Sequence, residues 1–383
     1  MRILYLTDNG TVHNRRFLEK LVSAGHEPWS WNLAAAAADS KNDTPDTVRS
    51  ITSKKCVSRG ASPQEFRELL PQLQSVLEEL QPALVHAGPI QSAGYLAALA
   101  DCHPTLLMSW GSDLLLEADR NAAWKEATEF ALQKADAFFC DCDTVLRKAN
   151  RVRVFPDSRV VQFPWGLKRG VFSPSGPLPP DDKFRAQAGT TTFIYTRSYE
   201  PLYGTDVLLD GFRRARAANS SLRLLLLGSG SQTESIRNYV QMHGLSAAAL
   251  QIGPQPEQDL PMWFRAADAY ISCAKSDGTS ISLLEAMATG LPVVVTDIPS
   301  NREWIREPEN GWLAAPGSAD AVAEKILRVA KLTPEERGAM SERNQRVVAE
   351  RADWDKNFPR LLQMYERLIT DHKVERVGLS SEK

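Results

Sequence analysis

Short apolar runs of Ile, Leu and Val alternate along the chain with longer segments in which apolar residues recur every three to four positions. The runs have strand length, and the spacing between them is helical. In the first half they predict strands over 2–7, 83–86, 105–110, 137–140 and 160–163, with helices such as 14–24 and 63–80. In the second half the strands fall over 192–196, 222–227, 250–252, 269–272 and 292–296. Two last helices, 334–351 and 353–371, have no strand after them. Alternation of this kind marks βαβ units on a parallel sheet, and it occurs twice. The predicted fold class is therefore α/β, with two Rossmann-like, doubly wound domains.

The alternation stops at FSPSGPLPPDDK, residues 172–183, where prolines replace any periodicity. This sets the expected domains: 1–172, a linker 173–187, and a second domain 188–352. A helix over 353–377 is expected to cross back to the first domain, leaving a polar tail at 378–383. Open parallel sheets bind ligands at the carboxyl ends of their strands, so the chemistry is expected in a cleft where the two sets of ends face each other.

Composition changes this picture little. With 43% hydrophobic and 24% charged residues and a formal charge of -2, the 383-residue chain reads as an ordinary soluble protein without the basic excess that recruits nucleic acid. Five scattered cysteines give neither a disulfide framework nor zinc-ligand spacing. The opening MRILYLT is too short for a signal-peptide core and no apolar run reaches membrane-spanning length, so the expected location is the cytoplasm. One local feature leaves peripheral contact with the inner face of a membrane open. From Arg147 to Arg169 the basic residues Arg147, Lys148, Arg151, Arg153, Arg159, Lys168 and Arg169 face one acid, Asp157.

The densest stretch of candidate chemistry is SDGTSISLLEAMATGLPVVVTDIPSN, 276–301, read as loop, short helix and strand. Asp277-Gly278 suits a turn, and Ser282-Leu-Leu-Glu285 fits the S-x-x-E capping box. The backbone NH groups at the helix start would also attract an anion such as a phosphate. The stretch resembles the E-x7-E donor motif of family 4 glycosyltransferases, retaining enzymes of the GT-B fold. The order of segments along nearly the whole chain is similar to that family.

The resemblance implies roles residue by residue. Glu285 would accept hydrogen bonds from the ribose of a nucleotide sugar, and Asp277 would contact the donor sugar. Gly278, Thr279, Ser280 and Ile281 would offer backbone to the sugar and diphosphate. Arg197, in RSYEPLYG, would hold the diphosphate, but Tyr203 stands where the family carries a lysine. Lys275 is the candidate replacement cation. Asp277 is itself a departure, one methylene shorter than the usual glutamate.

In the first half, Gly10 and Thr11 in TDNGTVHNRRF follow the first strand. Gly10 would lie near the donor, and Thr11 and His13 near the acceptor. His86 ends a strand and is expected to face the cleft, where an imidazole can orient an acceptor hydroxyl; a structural histidine is the other reading. Trp110 replaces the family's histidine in MSWGSDLL and offers a platform for a sugar face, while Asp113 follows with N-capping as its alternative role. Asp141-Cys142-Asp143 spells a DxD triplet but precedes a helix, and N-capping is expected over metal binding. LLLGSGSQ, 225–232, reads as a tight strand-to-helix turn beside the nucleotide.

What the resemblance implies is transfer of a sugar from a UDP- or GDP-sugar to a hydroxyl acceptor, a glycan, lipid-linked glycan or small metabolite. Arg197, Asp277 and His86 are the candidate catalytic set; neither a metal nor a cofactor is required beyond the nucleotide-sugar co-substrate. The alternatives are an epimerase or phosphorylase on the same fold, or a non-catalytic nucleotide-sugar binder.

Overall fold

The computed structural model describes residues 1–8, 12–34, 44–52, 55–58, 60–168, 170–185 and 187–381. The chain forms two compact units, Met1–Phe163 with Phe358–Lys383, and Pro164–Asn357.

The first unit is built on seven parallel strands: β1 (Arg2–Thr7), β2 (Glu27–Asn32), β3 (Arg49–Ser50), β4 (Leu84–Ala87), β5 (Thr105–Met108), β6 (Ala137–Cys140) and β7 (Val160–Gln162). Their order is β3-β2-β1-β4-β5-β6-β7. The second unit has six: β8 (Thr191–Tyr195), β9 (Leu222–Leu226), β10 (Ala249–Gln251), β11 (Ala269–Ser272), β12 (Val293–Thr296) and β13 (Gly311–Ala314), in the order β10-β9-β8-β11-β12-β13. Both orders grow outward from the first strand in one direction and then reverse, which places a switch point between β1 and β4 and another between β8 and β11.

The strands are apolar because helices cover both sheet faces. In β8 all five residues are buried. Phe193 and Tyr195 join Phe212 of the helix Thr205–Ala218 on one side. Ile194, pointing the opposite way, joins Leu283 and Met287 of the helix Ile281–Ala288 on the other. Losing one such aromatic, as in Phe193→Ala, removes about 3–5 kcal/mol.

The ten strands expected from periodicity all form, within two residues of their predicted bounds. The three others lacked a readable pattern. β2 carries Pro28 and polar residues, β3 has two residues, and β13 is a four-residue run behind Asn310. The helix expected over 63–80 is two, Pro63–Arg67 and Leu70–Leu80. Pro71 has no NH to give the preceding turn, so it is accommodated in the first turn of a new helix. The final helix runs Trp354–Ser381 and includes residues expected as a tail. Pro359 lies inside it, two residues past the division between the units.

Residues 164–172, expected in the first domain, and the proline-rich 173–187 both fall within the second unit. Leu167 pairs with Asp353, its NH donating to the Ala352 carbonyl at 2.8 Å. A Cβ on Gly166 would meet that same carbonyl oxygen at 2.4 Å, so the approach needs glycine. The proline-rich stretch is pinned by guanidinium groups. Arg265 donates to the carbonyls of Ser173 and Pro177, Arg185 to Pro179, and Arg223 to Arg185.

The basic run has internal partners. Arg147 pairs with Asp143 at 2.5 Å, Lys148 with Asp119, and Arg159 with Asp371 at 2.9 Å. Arg153 donates to the carbonyls of Leu132, Gln133 and Ala135 that end a helix. These contacts leave Arg151 and Lys168 as its exposed basic residues without a carboxylate partner among those described; Arg169 lies outside the described residues. Among the described residues no helix is long and apolar enough to cross a membrane.

Candidate functional site

Arg197 follows the end of β8 at Tyr195 by two residues, and Asp277 follows the end of β11 at Ser272 by five. Because β8 and β11 are the neighbours at which strand order reverses, both side chains leave the carboxyl edge at the switch point, where open α/β sheets bind ligands. The Nη2 of Arg197 lies 2.8 Å from Oδ2 of Asp277. Its Nη1 donates to Ser280 Oγ at 2.9 Å and, more weakly, to Ser282 Oγ at 3.5 Å. The hydroxyls of Ser280 and Ser282 are 3.1 Å apart, and Tyr270 OH meets Ser282 Oγ at 2.8 Å. On the guanidinium face, the Tyr203 ring centroid is 4.2 Å from the central carbon.

Burial shapes the charges here. It raises the Asp277 carboxyl above its ordinary range, against the Arg197 charge and the Gly278 NH, which act to lower it. Burial also works against the Arg197 cation, but the charge of Asp277 and the neighbouring tyrosine oxygens outweigh it, and the guanidinium is held more firmly protonated than usual.

The helix Ile281–Ala288 begins beside this pair. Its N-cap is Ser280, whose Oγ accepts from Leu283 NH, so the capping box expected at Ser282 and Glu285 is not the one used. The extended backbone at Ser280 starts the helix two residues earlier, and Ser282 turns to Tyr270. The NH groups of Ile281 and Ser282 fall in the first turn and have no intrahelical acceptor, the arrangement that favours an anion. Gly278 and Thr279 are buried immediately before it. Glu285, 5% exposed, is one turn further along. Gly290, at φ +82°, stops the helix in the left-handed region.

Two loops support Arg197. Lys275 NH donates to Leu202 carbonyl at 2.8 Å, next to Tyr203, while its side chain is exposed. Gly204 sits at φ +60°, and a Cβ there would meet the Cys273 carbonyl oxygen at 2.3 Å. The G-S-G of LLLGSGSQ is a close-packed turn as expected: a Cβ on Gly228 would lie 2.2 Å from the Arg197 carbonyl oxygen. Glu200 accepts from Ser231 NH at 2.8 Å, tying the same turn to the Arg197 loop.

In the first unit, Gly10 and Thr11 lie outside the described residues. His13 and Trp110 are brought together, their rings 6.1 Å apart and inclined at 43°. His86 does not become an acceptor-orienting group. It is the third residue of β4, fully buried, with Nδ1 against Tyr365 OH and Nε2 3.2 Å from Met108 Sδ. The rings of Tyr5, Phe17 and Phe139 surround it. Burial lowers its pKa to about 3, so it is a neutral core imidazole. The expectation failed because the residue lies within the strand and its side chain enters the helix-covered face.

Asp113 is likewise turned inward. Oδ1 accepts from Ser109 Oγ and Leu114 NH, and Oδ2 from Ile90 NH and Trp110 NH. Those four donors fill the lone-pair capacity of a carboxylate and leave none for an acceptor hydroxyl. N-capping does not describe it either, since the cap position is Gly111. Asp113 instead fastens the loop after β5, including Trp110, to the turn at Ile90. Of the DxD triplet, Cys142 is the N-cap of Asp143–Ala149 and Asp143 pairs with Arg147. Among the described residues no group of three or more His, Cys, Asp or Glu is placed to hold a metal.

Sequence reasoning missed Tyr203 and Ser282 as partners of Arg197, and Tyr270 as a partner of Ser282. Tyr203 was legible only as a missing lysine. An aromatic residue between Arg197 and the tightly packed Gly204 was the available signal, since a short closed loop brings such a ring back over the arginine.

Fold and site together define a doubly wound α/β protein whose second unit presents an arginine, a carboxylate and a helix N-terminus at a strand-order switch point. The family described as Glycosyl transferases group 1 matches residues 181–347, and that described as Glycosyl transferase 4-like matches residues 2–142. Both models are of glycosyl transferases, and between them they match most of the chain. It is 30% identical over 188 residues to a phosphatidyl-myo-inositol mannosyltransferase of Mycobacterium leprae, which covers 48% of each chain. It is 27% identical over 304 residues to a D-inositol 3-phosphate glycosyltransferase of Mycobacterium tuberculosis, covering 76% of this chain and 58% of that protein. The matches thus span about half the length of these curated relatives. Among solved structures, a sucrose-phosphate synthase from Thermosynechococcus elongatus superposes with a TM-score of 0.80 at 16% identity, over 97% of this chain and 100% of that one. Anabaena HepE in complex with UDP gives 0.75 at 14% identity, over 96% and 100%. At these identities the structural likeness establishes the GT-B fold.

Proposed function

We propose that the protein is a retaining glycosyltransferase that moves a sugar from a UDP- or GDP-sugar to a hydroxyl acceptor. The observation that carries this reading is the convergence of Arg197, Asp277 and the first turn of Ile281–Ala288 at the switch point of the second unit. A nucleoside diphosphate leaving group carries two to three negative charges. A half-buried cation and aligned NH dipoles provide the electrostatic help its departure needs. Glu285 is assigned to the ribose, and Gly278, Thr279, Ser280 and Ile281 to the diphosphate and sugar. The second unit holds the donor. The first unit holds the acceptor, with His13 and Trp110 as its candidate contacts.

The bond from the anomeric carbon to the diphosphate oxygen breaks as the acceptor oxygen bonds to the same face of that carbon. The acceptor proton passes to the departing diphosphate oxygen, so no protein nucleophile is used. The burial of His86 agrees with a route that asks no imidazole to act as base. UDP-bound and glycosyltransferase relatives support the donor class; the acceptor belongs to the same proposal, as glycan, lipid-linked glycan or small metabolite.

The test is a thermal-shift screen of the full chain against UDP-, GDP-, ADP- and dTDP-sugars, followed by transfer assays with the donors that bind. A ligand of the native site raises the melting temperature according to its affinity. Stabilisation by a UDP- or GDP-sugar and release of its nucleoside diphosphate with an acceptor are expected. No shift with any nucleotide sugar overturns the donor reading, binding without transfer or hydrolysis favours a non-catalytic binder, and an isomerised donor favours an epimerase.

A further inference from the structure

The Arg197 guanidinium is enclosed on three sides by groups of its own unit. Asp277 takes Nη2, the Ser280 and Ser282 hydroxyls take Nη1, and the Tyr203 ring covers one face at 4.2 Å. A guanidinium has five N–H donors in a fixed plane. The contacts to Ser280, Ser282 and Asp277 leave Nε and one Nη2 hydrogen with no partner among the described residues. The group can therefore offer an anion only one edge, and the orientation of its plane decides where that edge points. Asp277 and the serines grip it in-plane, but in-plane contacts permit tilting out of the plane. The ring is the contact that resists tilting, because cations sit over the electron-rich face of an aromatic.

The ring itself is held. Tyr203 ends the short turn Pro201–Tyr203, whose next residue, Gly204, packs on the Cys273 carbonyl in the left-handed conformation that glycine favours. Lys275 NH bonds the Leu202 carbonyl, fastening the turn to the strand end that leads to Asp277. The ring over Arg197 and the carboxylate beside it are thus fixed to one another through the backbone.

We propose that Tyr203 is a positioning residue for Arg197, holding the guanidinium plane so that its free edge meets the phosphates of a nucleoside diphosphate. This rests on the donor reading above and adds a role for a residue that makes no ionic contact. The oriented arginine then carries the larger share of what the resemblance assigns to an arginine and a lysine. The consequence is a donor site with stricter geometry, one that depends on the ring and not on the tyrosine hydroxyl.

The experiment is calorimetric titration of the full-length chain with UDP, GDP and the nucleosides uridine and guanosine, for the unaltered protein and for Tyr203→Phe, Tyr203→Leu, Arg197→Ala and the double variant Arg197→Ala/Tyr203→Leu. Tyr203→Phe keeps the ring and should bind within about twofold of the unaltered protein. Tyr203→Leu keeps the bulk without the electron-rich face and should weaken diphosphate binding roughly 5- to 30-fold, the strength of a partly desolvated cation–π contact. Nucleoside binding should not change, because no phosphate is present for Arg197 to meet. In the Arg197→Ala background, Tyr203→Leu should add nothing, the signature of a residue acting through another. Equal losses for nucleoside and diphosphate, an undiminished loss without Arg197, or full affinity in Tyr203→Leu each overturn the role of Tyr203 while leaving the donor reading standing. If the unaltered chain binds neither UDP nor GDP, the donor reading falls and takes this inference with it.

Discussion

The two units repeat one strand order, yet the polar residues near their switch points end in opposite situations. In the first unit His86, inside β4 beside β1, is packed among Tyr5, Phe17, Phe139 and Tyr365. In the second, Arg197 and Asp277 stand two and five residues beyond the ends of β8 and β11 and meet each other at 2.8 Å. A parallel sheet covered by helices leaves no room for solvent at an interior position, so a polar side chain there must find a core partner or be replaced. Past the last ladder position the backbone turns, and the side chain is set at the strand edge. Distance from the strand end thus separates a core histidine from an arginine at the strand edge.

The strongest way to break the contrast is to remove Arg197. Arg197→Ala deletes the half-buried cation and leaves Asp277 without its partner, in a setting where burial already raises its pKa. Turnover of the preferred nucleotide sugar, followed by release of nucleoside diphosphate, should fall about 10²- to 10³-fold. A loss of less than tenfold in kcat/KM would show that the second unit does not place its decisive cation at the switch point.

The next effect concerns the loop that carries Tyr203. Gly204→Ala puts a Cβ 2.3 Å from the Cys273 carbonyl oxygen in a left-handed residue, and the obstructing atom is backbone that cannot rotate away. The expected loss is about 2–3 kcal/mol of unfolding free energy in urea titration. Unchanged stability would mean that the loop beside Arg197 is not held by its packing.

A third test addresses the histidine side of the contrast through pH. The folded pKa of His86 is about 3, far below the unfolded value near 6.5. Between those values the unfolded chain binds the proton and the folded chain does not. Stability from the neutral imidazole is therefore complete above about pH 6.5 and is lost as pH falls toward 3. The slope from this residue is about 1.4 kcal/mol per pH unit. His86→Phe should flatten the dependence of unfolding free energy on pH between 6 and 4 by that amount, while kcat of the folded enzyme at neutral pH stays within about threefold. An equally steep profile, or a hundredfold fall in kcat, would return His86 to the reacting groups.

The strands were legible because burial on both faces forces continuous apolar runs, as in Thr191–Tyr195 and Val293–Thr296. β2 was not, since its fit rests on Trp31 and on pairing with β1 rather than on a local pattern. At the site, the resemblance carried by 276–301 and by RSYEPLYG pointed to Asp277, the helix start and Arg197, because each motif is continuous in sequence and follows a clear strand. What could not be read was side-chain direction. Asp113 looks like a free carboxylate until Ser109 and the NH groups of Ile90, Trp110 and Leu114 are placed around it. Ser282 looks like a helix cap until the backbone at Ser280 begins the helix earlier. Such outcomes depend on contacts between segments, which a single chain pattern does not encode.

The smallest effect sharpens the comparison most finely, because it asks whether exposure alone separates a helper cation from Arg197. Lys275 shares a backbone tie with Leu202 but leaves its side chain in solvent. An exposed ammonium near a diphosphate contributes through a screened field, about 0.2–1 kcal/mol, against the larger contribution of a half-buried, oriented guanidinium. Lys275→Ala should raise KM for the nucleotide sugar about two- to fivefold at 50 mM salt with kcat nearly unchanged. The difference should fade at 0.5 M, where the Debye length shrinks to a few ångströms. Kinetics unaltered at low salt would remove Lys275 from the donor site, and the single oriented arginine would then carry the diphosphate with the helix NH groups alone.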